Sequence, residues 1–250
     1  MLPKEKNELL TRVGPGTPMN ALFRRYWMPA LLSSDLPDPD GDPKSFTLLG
    51  ETYVAFRDSS GRVGVFDELC CHRSASLALG RVEDGGIRCI FHGWKFAVDG
   101  TILDTPNVAD PSYKTRLRAP AYPVREAGEL IWVYLGPKEI EPPFREYEYM
   151  RLPPSHRMVM RMTLDCNYLQ IVEGGLDSTH VGILHRDLAR SFDEKPQELP
   201  DHLQSKRQEL LSDLAPELDV RDTEFGFHYA ALRRANDGTN NRHVRITAYV

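Results

Sequence analysis

Four side chains between Glu68 and Phe96 have the types and spacing to hold metal. Cys70 and His72 stand two positions apart, Cys89 and His92 three apart, in the stretch ELCCHRSASLALGRVEDGGIRCIFHGWKF. Each pair sits among small or polar neighbours that favour a turn. A single tetrahedral zinc ion would use these residue types, but it usually takes both cysteines from one knuckle. Here each knuckle contributes one cysteine and one histidine. That sharing suits a two-iron, two-sulfide centre in which Cys70 and Cys89 hold one iron and His72 and His92 the other, the neutral imidazoles raising the potential above that of an all-cysteine cluster.

An electron-transfer centre needs a destination, and the chain offers a second constellation in NYLQIVEGGLDSTHVGILH, residues 167–185. Asp177, His180 and His185 form D-x2-H-x4-H. His180 lies one helical turn past Asp177, whereas five residues of regular helix rotate His185 by about 140° away from His180. Both imidazoles can face one ion only if the helix ends or loosens between them, and Gly182 supplies a place for that. The spacing differs from the i, i+4 pair of zinc proteases. It suits the two histidines of a 2-His-1-carboxylate site, whose open positions let Fe(II) meet dioxygen beside an organic substrate.

The elements that must position these residues change character along the chain. Residues 1–25 predict one or two short helices broken by GPGTP. From Arg25 a proline-punctuated lead-in gives way to period-two runs rich in β-branched and aromatic residues: SFTLLG, ETYVAFRD, GRVGVFDE, the hairpin KFAVDGTIL with Asp99 and Gly100 at positive φ, and ELIWVYLGP. Residues 26–137 therefore read as an all-β unit. The proline-rich, charged segment 137–154 reads as a connector. Residues 138–250 then hold a second domain, with a strand-like RMVMRMTLD, the helical ligand segment, and strands at FGFHYAAL and NRHVRITAYV. Between them, 187–223 is polar and charged, and reads as a surface excursion or a flap over a site entrance.

Composition narrows the function classes. The chain has 250 residues, 41% hydrophobic and 27% charged, enough to bury a full core. Its net charge of −5 with mixed signs predicts no nucleic-acid partner. No apolar run approaches the ~20 residues of a membrane span, and the start lacks a secretory signal, so the expected address is cytoplasmic, with no membrane association. Of the four cysteines, Cys70, Cys71 and Cys89 lie in the metal motif, which suits a reducing compartment.

The motif C-x-H-R, then C-x2-H-G-W, resembles the Rieske domain of ring-hydroxylating, non-haem iron oxygenases. Respiratory Rieske proteins carry an extra cysteine in each loop, and here only Cys71 could play such a part, in a position the oxygenases commonly give to proline. The segments TPMN, RRYWMPALL, EGGLDSTH and HVRITAYV extend the resemblance to the whole chain and make it most similar to the phthalate 4,5-dioxygenase group. The resemblance implies an α+β chain in which an all-β Rieske domain precedes a helix-grip catalytic domain, incomplete at its C-terminus. It implies a [2Fe-2S] cluster on Cys70, His72, Cys89 and His92, and a mononuclear Fe(II) on His180 and His185. The family's carboxylate ligand comes from well downstream, and none of Asp193, Asp201, Asp213, Asp219, Asp222 or Asp237 has a matching context. The chain is accordingly expected to be the N-terminal portion of a longer protein, with the third ligand unassigned. In the family, a homotrimer brings the cluster of one subunit to the iron of the next. The aspartate of D-x2-H is the bridge, which would join His92 or His72 through Asp177 to His180 of the neighbour.

The implied function is the terminal oxygenase of a multicomponent system. It would draw electrons from an NAD(P)H-dependent reductase or ferredoxin and use O2 to hydroxylate, or oxidatively demethylate, an aromatic or heteroaromatic acid. Two alternatives are a Rieske-type electron carrier, against which the second metal motif argues, and a catalytically inactive remnant. Three other residues have plainer expectations: Trp94 packs on the cluster loop, Arg73 faces either solvent or the catalytic site, and Cys166 is a small core residue.

Overall fold

The structure, a computed structural model, describes residues 2–185, 213–224, 226–235 and 242–249. It is α+β and parts into two compact units, residues 1–165 and 166–250.

The first unit opens with α1 (Lys4–Thr11) and α2 (Pro18–Phe23). Thr17 caps α2 by accepting the Asn20 N–H, with Pro18 at the first helical position where its missing donor costs nothing. The β-strands follow as β1 (Trp27–Leu32), β2 (Lys44–Leu48), β3 (Glu51–Arg57), β4 (Val63–Asp67), β5 (Arg81–Glu83), β6 (Gly86–Arg88), β7 (Lys95–Phe96), β8 (Ile102–Asp104), β9 (Val124–Ala127) and β10 (Leu130–Tyr134). They pair antiparallel in the orders β1-β10-β9, β2-β3-β4 and β5-β6-β7-β8. Three tight hairpins, at Leu49–Gly50, Asp84–Gly85 and Gly128–Glu129, have positive φ at both central residues, the twist that matches flanking strands. The Asp84–Gly85 hairpin lies in sequence between the Cys70–His72 and Cys89–His92 loops.

Strand β3 shows how the core is organised. Tyr53, Val54, Ala55 and Phe56 are all fully buried. Val54 and Phe56 pack with Phe66, Leu77, Ile87, Trp94, Phe96, Cys70 and Cys89. Tyr53 and Ala55, on the opposite face, pack with Leu31, Val65, Ile131 and Val133. A strand alternates its side chains, so β3 serves two cores at once. Edge-on aromatic contacts of Phe66 with Phe56 (5.4 Å) and Phe96 (6.2 Å) tie β4 into the core that carries the cysteines, each worth about 0.5–1.5 kcal/mol beyond area burial.

Four expectations are revised. The lead-in after Arg25 contains strand β1, because Trp27–Leu32 finds a partner in β10 despite Pro29. At the Asp99–Gly100 turn only Gly100 takes positive φ (88°), while the Asp99 carboxylate accepts the Thr101 N–H and hydroxyl. The segment after Pro137 is strapped to the first unit: Phe144 packs on Trp27 and Trp132, the Trp27 indole donates to Pro142 O, and Arg157 pairs with Glu129. RMVMRMTLD forms no ladder among the described residues, and Met158, Met160 and Met162 are exposed, since an alternating pattern makes a strand only where another strand accepts its hydrogen bonds.

The second unit holds α3 (Tyr168–Leu176), α4 (Val181–Leu184) and a sheet of β11 (Glu217–Thr223), β12 (Gly226–Arg234) and β13 (Arg242–Tyr249) in that order. Strand β11 falls inside the stretch expected to be a surface excursion. Its polar pattern, ELDVRDT, hid a strand whose residues are nearly all exposed. The flap expectation for 187–222 lies largely outside the described residues. So do Asp193, Asp201 and Asp237. Cys166 is exposed, not core, because it precedes the cap of α3.

Candidate metal centres

The two metal-binding loops share one backbone design. Cys70 N–H donates to Ala75 O (2.8 Å) and Ser74 N–H to Cys70 O (2.9 Å); Cys89 N–H donates to Trp94 O (2.9 Å) and Gly93 N–H to Cys89 O (3.1 Å). The fourth residue after each cysteine has positive φ, 56° at Ser74 and 74° at Gly93. At Gly93 a Cβ would also lie 2.8 Å from Pro106, so glycine is required there twice over, by conformation and by space. Both cysteines are buried in the core beside Trp94. The imidazoles of His72 and His92 face each other edge-on at 4.7 Å. Trp94 lies flat on His72, at 4.4 Å and 4° between planes, its indole N–H held by Asn107 Oδ1 at 2.7 Å. The expectation for Trp94 is met.

The donor set fits a two-iron cluster. His92 Nδ1 is buried with no hydrogen-bond partner, which leaves a polar atom desolvated at a cost of about 1–3 kcal/mol unless it binds something. Cys70 and Cys89 share one buried core cluster, and His72 and His92 face each other, although among the described residues no group of three His, Cys, Asp or Glu side chains is placed to hold a metal ion. Without metal, the Cys70 thiol is pushed up by its hydrogen bond with Cys71 and by burial, and Cys89 by burial. Loading the site therefore releases protons. Burial first, and then the nearby His92 and Arg73, lower the pKa of His72 and favour the neutral form that ligates. Arg73 itself is exposed.

In the second unit Asn167 caps α3 by accepting the Leu169 N–H. The helix ends at Asp177, whose Oδ1 accepts the Thr179 N–H (2.7 Å) and hydroxyl (2.6 Å) in a tight side-chain turn. These bonds hold the Asp177 carboxyl below the usual range. Asp177 Oδ2 lies 3.3 Å from His180 Nδ1. The break thus falls before His180 and not at Gly182, which is buried inside α4. His180 caps the start of α4 and His185 its end, and their rings meet at 5.2 Å. A carboxylate oxygen beside Nδ1 favours Nε2 as the ring atom for a metal.

Three residues of this site escape sequence reading. Ser178, between Asp177 and His180, is buried; its hydroxyl meets Tyr229 Oη at 3.0 Å, and its carbonyl accepts from Arg233 Nη2 at 2.6 Å. Tyr229 and Arg233 share one face of β12. The alternation Tyr229, Ala231, Arg233 is the signal that marks an inward face, and an arginine in that row signals a buried anchor. Nothing in the sequence singles out Asn107 as the partner of Trp94.

Comparison with known proteins agrees with this layout. Residues 26–123 match the family model for the Rieske [2Fe-2S] domain, and residues 133–250 the model described as LigXa C-terminal domain like. The chain is 41% identical over 226 residues to the 3-chlorobenzoate-3,4-dioxygenase oxygenase subunit of Comamonas testosteroni, covering 90% of this chain and 50% of that protein. It is 37% identical over 261 residues to the phthalate 4,5-dioxygenase oxygenase subunit of Pseudomonas putida, covering 100% and 57%. A crystal structure of dicamba monooxygenase bound to dicamba superposes with a TM-score of 0.61 at 25% identity, over 84% of this chain and 56% of that one. The chain spans about half the length of the curated relatives it matches. The Rieske domain carries a [2Fe-2S] cluster, and oxygenase subunits of this kind add a mononuclear iron. With a Rieske match at 26–123, a LigXa-type match at 133–250 and similarity along its length to oxygenase subunits that include that of phthalate 4,5-dioxygenase, the chain joins a Rieske [2Fe-2S] domain to a C-terminal region like that of LigXa.

Proposed function

We propose that the chain is the electron-receiving and iron-binding part of a terminal oxygenase. In this reading residues 26–137 form the Rieske domain after a lead-in at 1–25, and 138–250 begin the catalytic domain. The whole protein takes electrons from an NAD(P)H-dependent reductase or ferredoxin and oxygenates an aromatic or heteroaromatic acid, by hydroxylation or oxidative demethylation. It works in the cytoplasm as a homotrimer. Among the described residues no helix is long and apolar enough to cross a membrane.

Cys70, Cys89, His72 and His92 hold the cluster, and His180 and His185 hold the mononuclear iron. When bound, the cluster supplies single electrons, and the iron supplies the place where dioxygen and substrate meet. The chain's own residues position these groups. Trp94 fixes the ring plane of His72, and Asp177 holds the Nδ1 side of His180, leaving Nε2 to ligate. The same carboxylate is the link toward a cluster histidine of a neighbouring subunit. The observation that carries the reading is the carboxylate-oriented histidine pair in a chain that also has complete cluster loops, since a simple electron carrier has no use for it.

The test is oxygen uptake by the complete oxygenase subunit supplied with NADH and a phthalate-type reductase. Uptake is expected only when an aromatic acid such as phthalate, a chlorobenzoate or a methoxybenzoate is added. A protein whose cluster cycles between oxidised and reduced forms with no acid-dependent uptake across that panel would be an electron carrier or a remnant.

A further inference from the structure

The two loops match in their backbone but differ in the residue before each cysteine. Before Cys70 stands Leu69, 55% exposed. Before Cys89 stands Arg88, at the end of β6, its side chain only 17% exposed. The Arg88 guanidinium donates Nη1 to the carbonyl of Gly93 (2.6 Å) and to Asp104 Oδ2 of β8 (2.9 Å), and Nε to Glu83 Oε1 of β5. Gly93 closes the second loop, its own N–H bonded back to Cys89 O. The loop that carries His92 is thus tied at Gly93 to two strands of its sheet. The corresponding residue of the first loop, Ser74, has no such tie from Leu69, which offers no polar group.

We infer that Arg88 is a positioning residue of the iron-sulfur site, clamping the His92 loop to β5 and β8 through the Gly93 carbonyl. The ion pairs are partly exposed, and pairs of that kind add little stability. Their contribution is geometric. A planar guanidinium meets three acceptors in fixed directions, which the point charge of lysine cannot do. Loop and strands then hold one spacing while the cluster changes oxidation state, so His92 Nδ1 stays where a ligand is needed.

The inference rests on the cluster reading, and the test separates the two. Arg88→Gln and Arg88→Lys are compared with wild type and with Arg81→Gln, which removes the same charge from an exposed neighbour that makes no bond to the loop. Two readouts are used: the rate at which an iron chelator bleaches the cluster's visible absorption, and the line widths of the electron paramagnetic resonance spectrum after reduction. Arg88→Gln is expected to bleach roughly ten-fold faster or more, the scale on which outer partners of metal ligands act, with broadened lines. Arg88→Lys should change in the same direction by less, and Arg81→Gln should match wild type. Should Arg88→Gln fail to fold, Arg88→Lys and Asp104→Asn carry the same comparison. Wild-type bleaching and line widths in the Arg88 variants would overturn the clamp, as would an Arg81→Gln protein as labile as Arg88→Gln. A wild type that takes up no cluster would overturn the cluster reading and this inference with it.

Discussion

The cluster loops and the histidine turn do similar work by different means. Each cluster loop is closed by backbone bonds that reach only four or five residues, and its cysteine is buried in the core. The turn from Asp177 to His185 is more open: the side chains of Asp177 and His180 are 44% and 27% exposed, and α3 buries no residue. Its anchors come from far along the chain, Tyr229 and Arg233 on β12 reaching Ser178. The backbone closure of such a loop lies within a few residues of its cysteine. A turn pinned by a distant strand is in place only when that strand is, so the order of the proposed iron site is coupled to the sheet of the second unit.

The sharpest break of this contrast is at a cluster cysteine. Cys89→Ala removes one of the two cysteines proposed to hold the cluster and leaves the second unit untouched. The variant is expected to lose its cluster completely, with no visible absorption and no cluster iron per chain, while hydrogen exchange at Ser178 and Thr179 stays at the wild-type level. A coloured Cys89→Ala protein would mean that the ligand set is misassigned.

Asp177→Asn, in the complete oxygenase, comes next. The variant keeps size and much of the hydrogen bonding to Thr179 but removes the charge beside His180 Nδ1. Both metals should stay bound and the trimer intact while acid-dependent oxygen uptake falls by roughly 100-fold, the upper scale for carboxylates behind metal-bound imidazoles. The wild-type carboxyl titrates below the usual range, so its stabilisation of the turn is full above the unfolded carboxylate pKa and is lost as pH falls through the lower folded value. Cluster-to-iron electron transfer at the normal rate in the variant would return Asp177 to a purely structural role.

Much of this was legible in the sequence because the governing interactions are short. The period-two runs announce β2, β3, β4 and β10, the spacing of residues 167–185 announces a helical segment, and C-x-H and C-x2-H announce two loops that share one backbone design. What escaped depends on partners far away. Strand β1 needed β10 to override Pro29, and the segment after Pro137 looked like a linker because its anchors, Phe144 and Pro142, meet Trp27 more than a hundred residues earlier. Strand β11 has no buried face to impose a period of two. The break at Asp177 follows from a side-chain turn with Thr179 that competes with the helix, and glycine content alone pointed to Gly182.

The smallest effect is the most informative about the distant anchor. Tyr229→Phe deletes one hydroxyl and leaves Ser178 Oγ buried without that partner, a cost of about 1–3 kcal/mol. Ser178→Ala together with Tyr229→Phe removes both hydroxyls, and most of that loss should be recovered, since neither hydroxyl is then stranded by loss of the other. Urea unfolding followed by a probe in the second unit measures the cycle, and the cluster's visible absorption should be unchanged in all three proteins below that transition. If the double variant is as unstable as the sum of the singles, the two hydroxyls act independently. The pinning of the iron turn would then rest on the bond from Arg233 to the Ser178 carbonyl, which neither substitution touches.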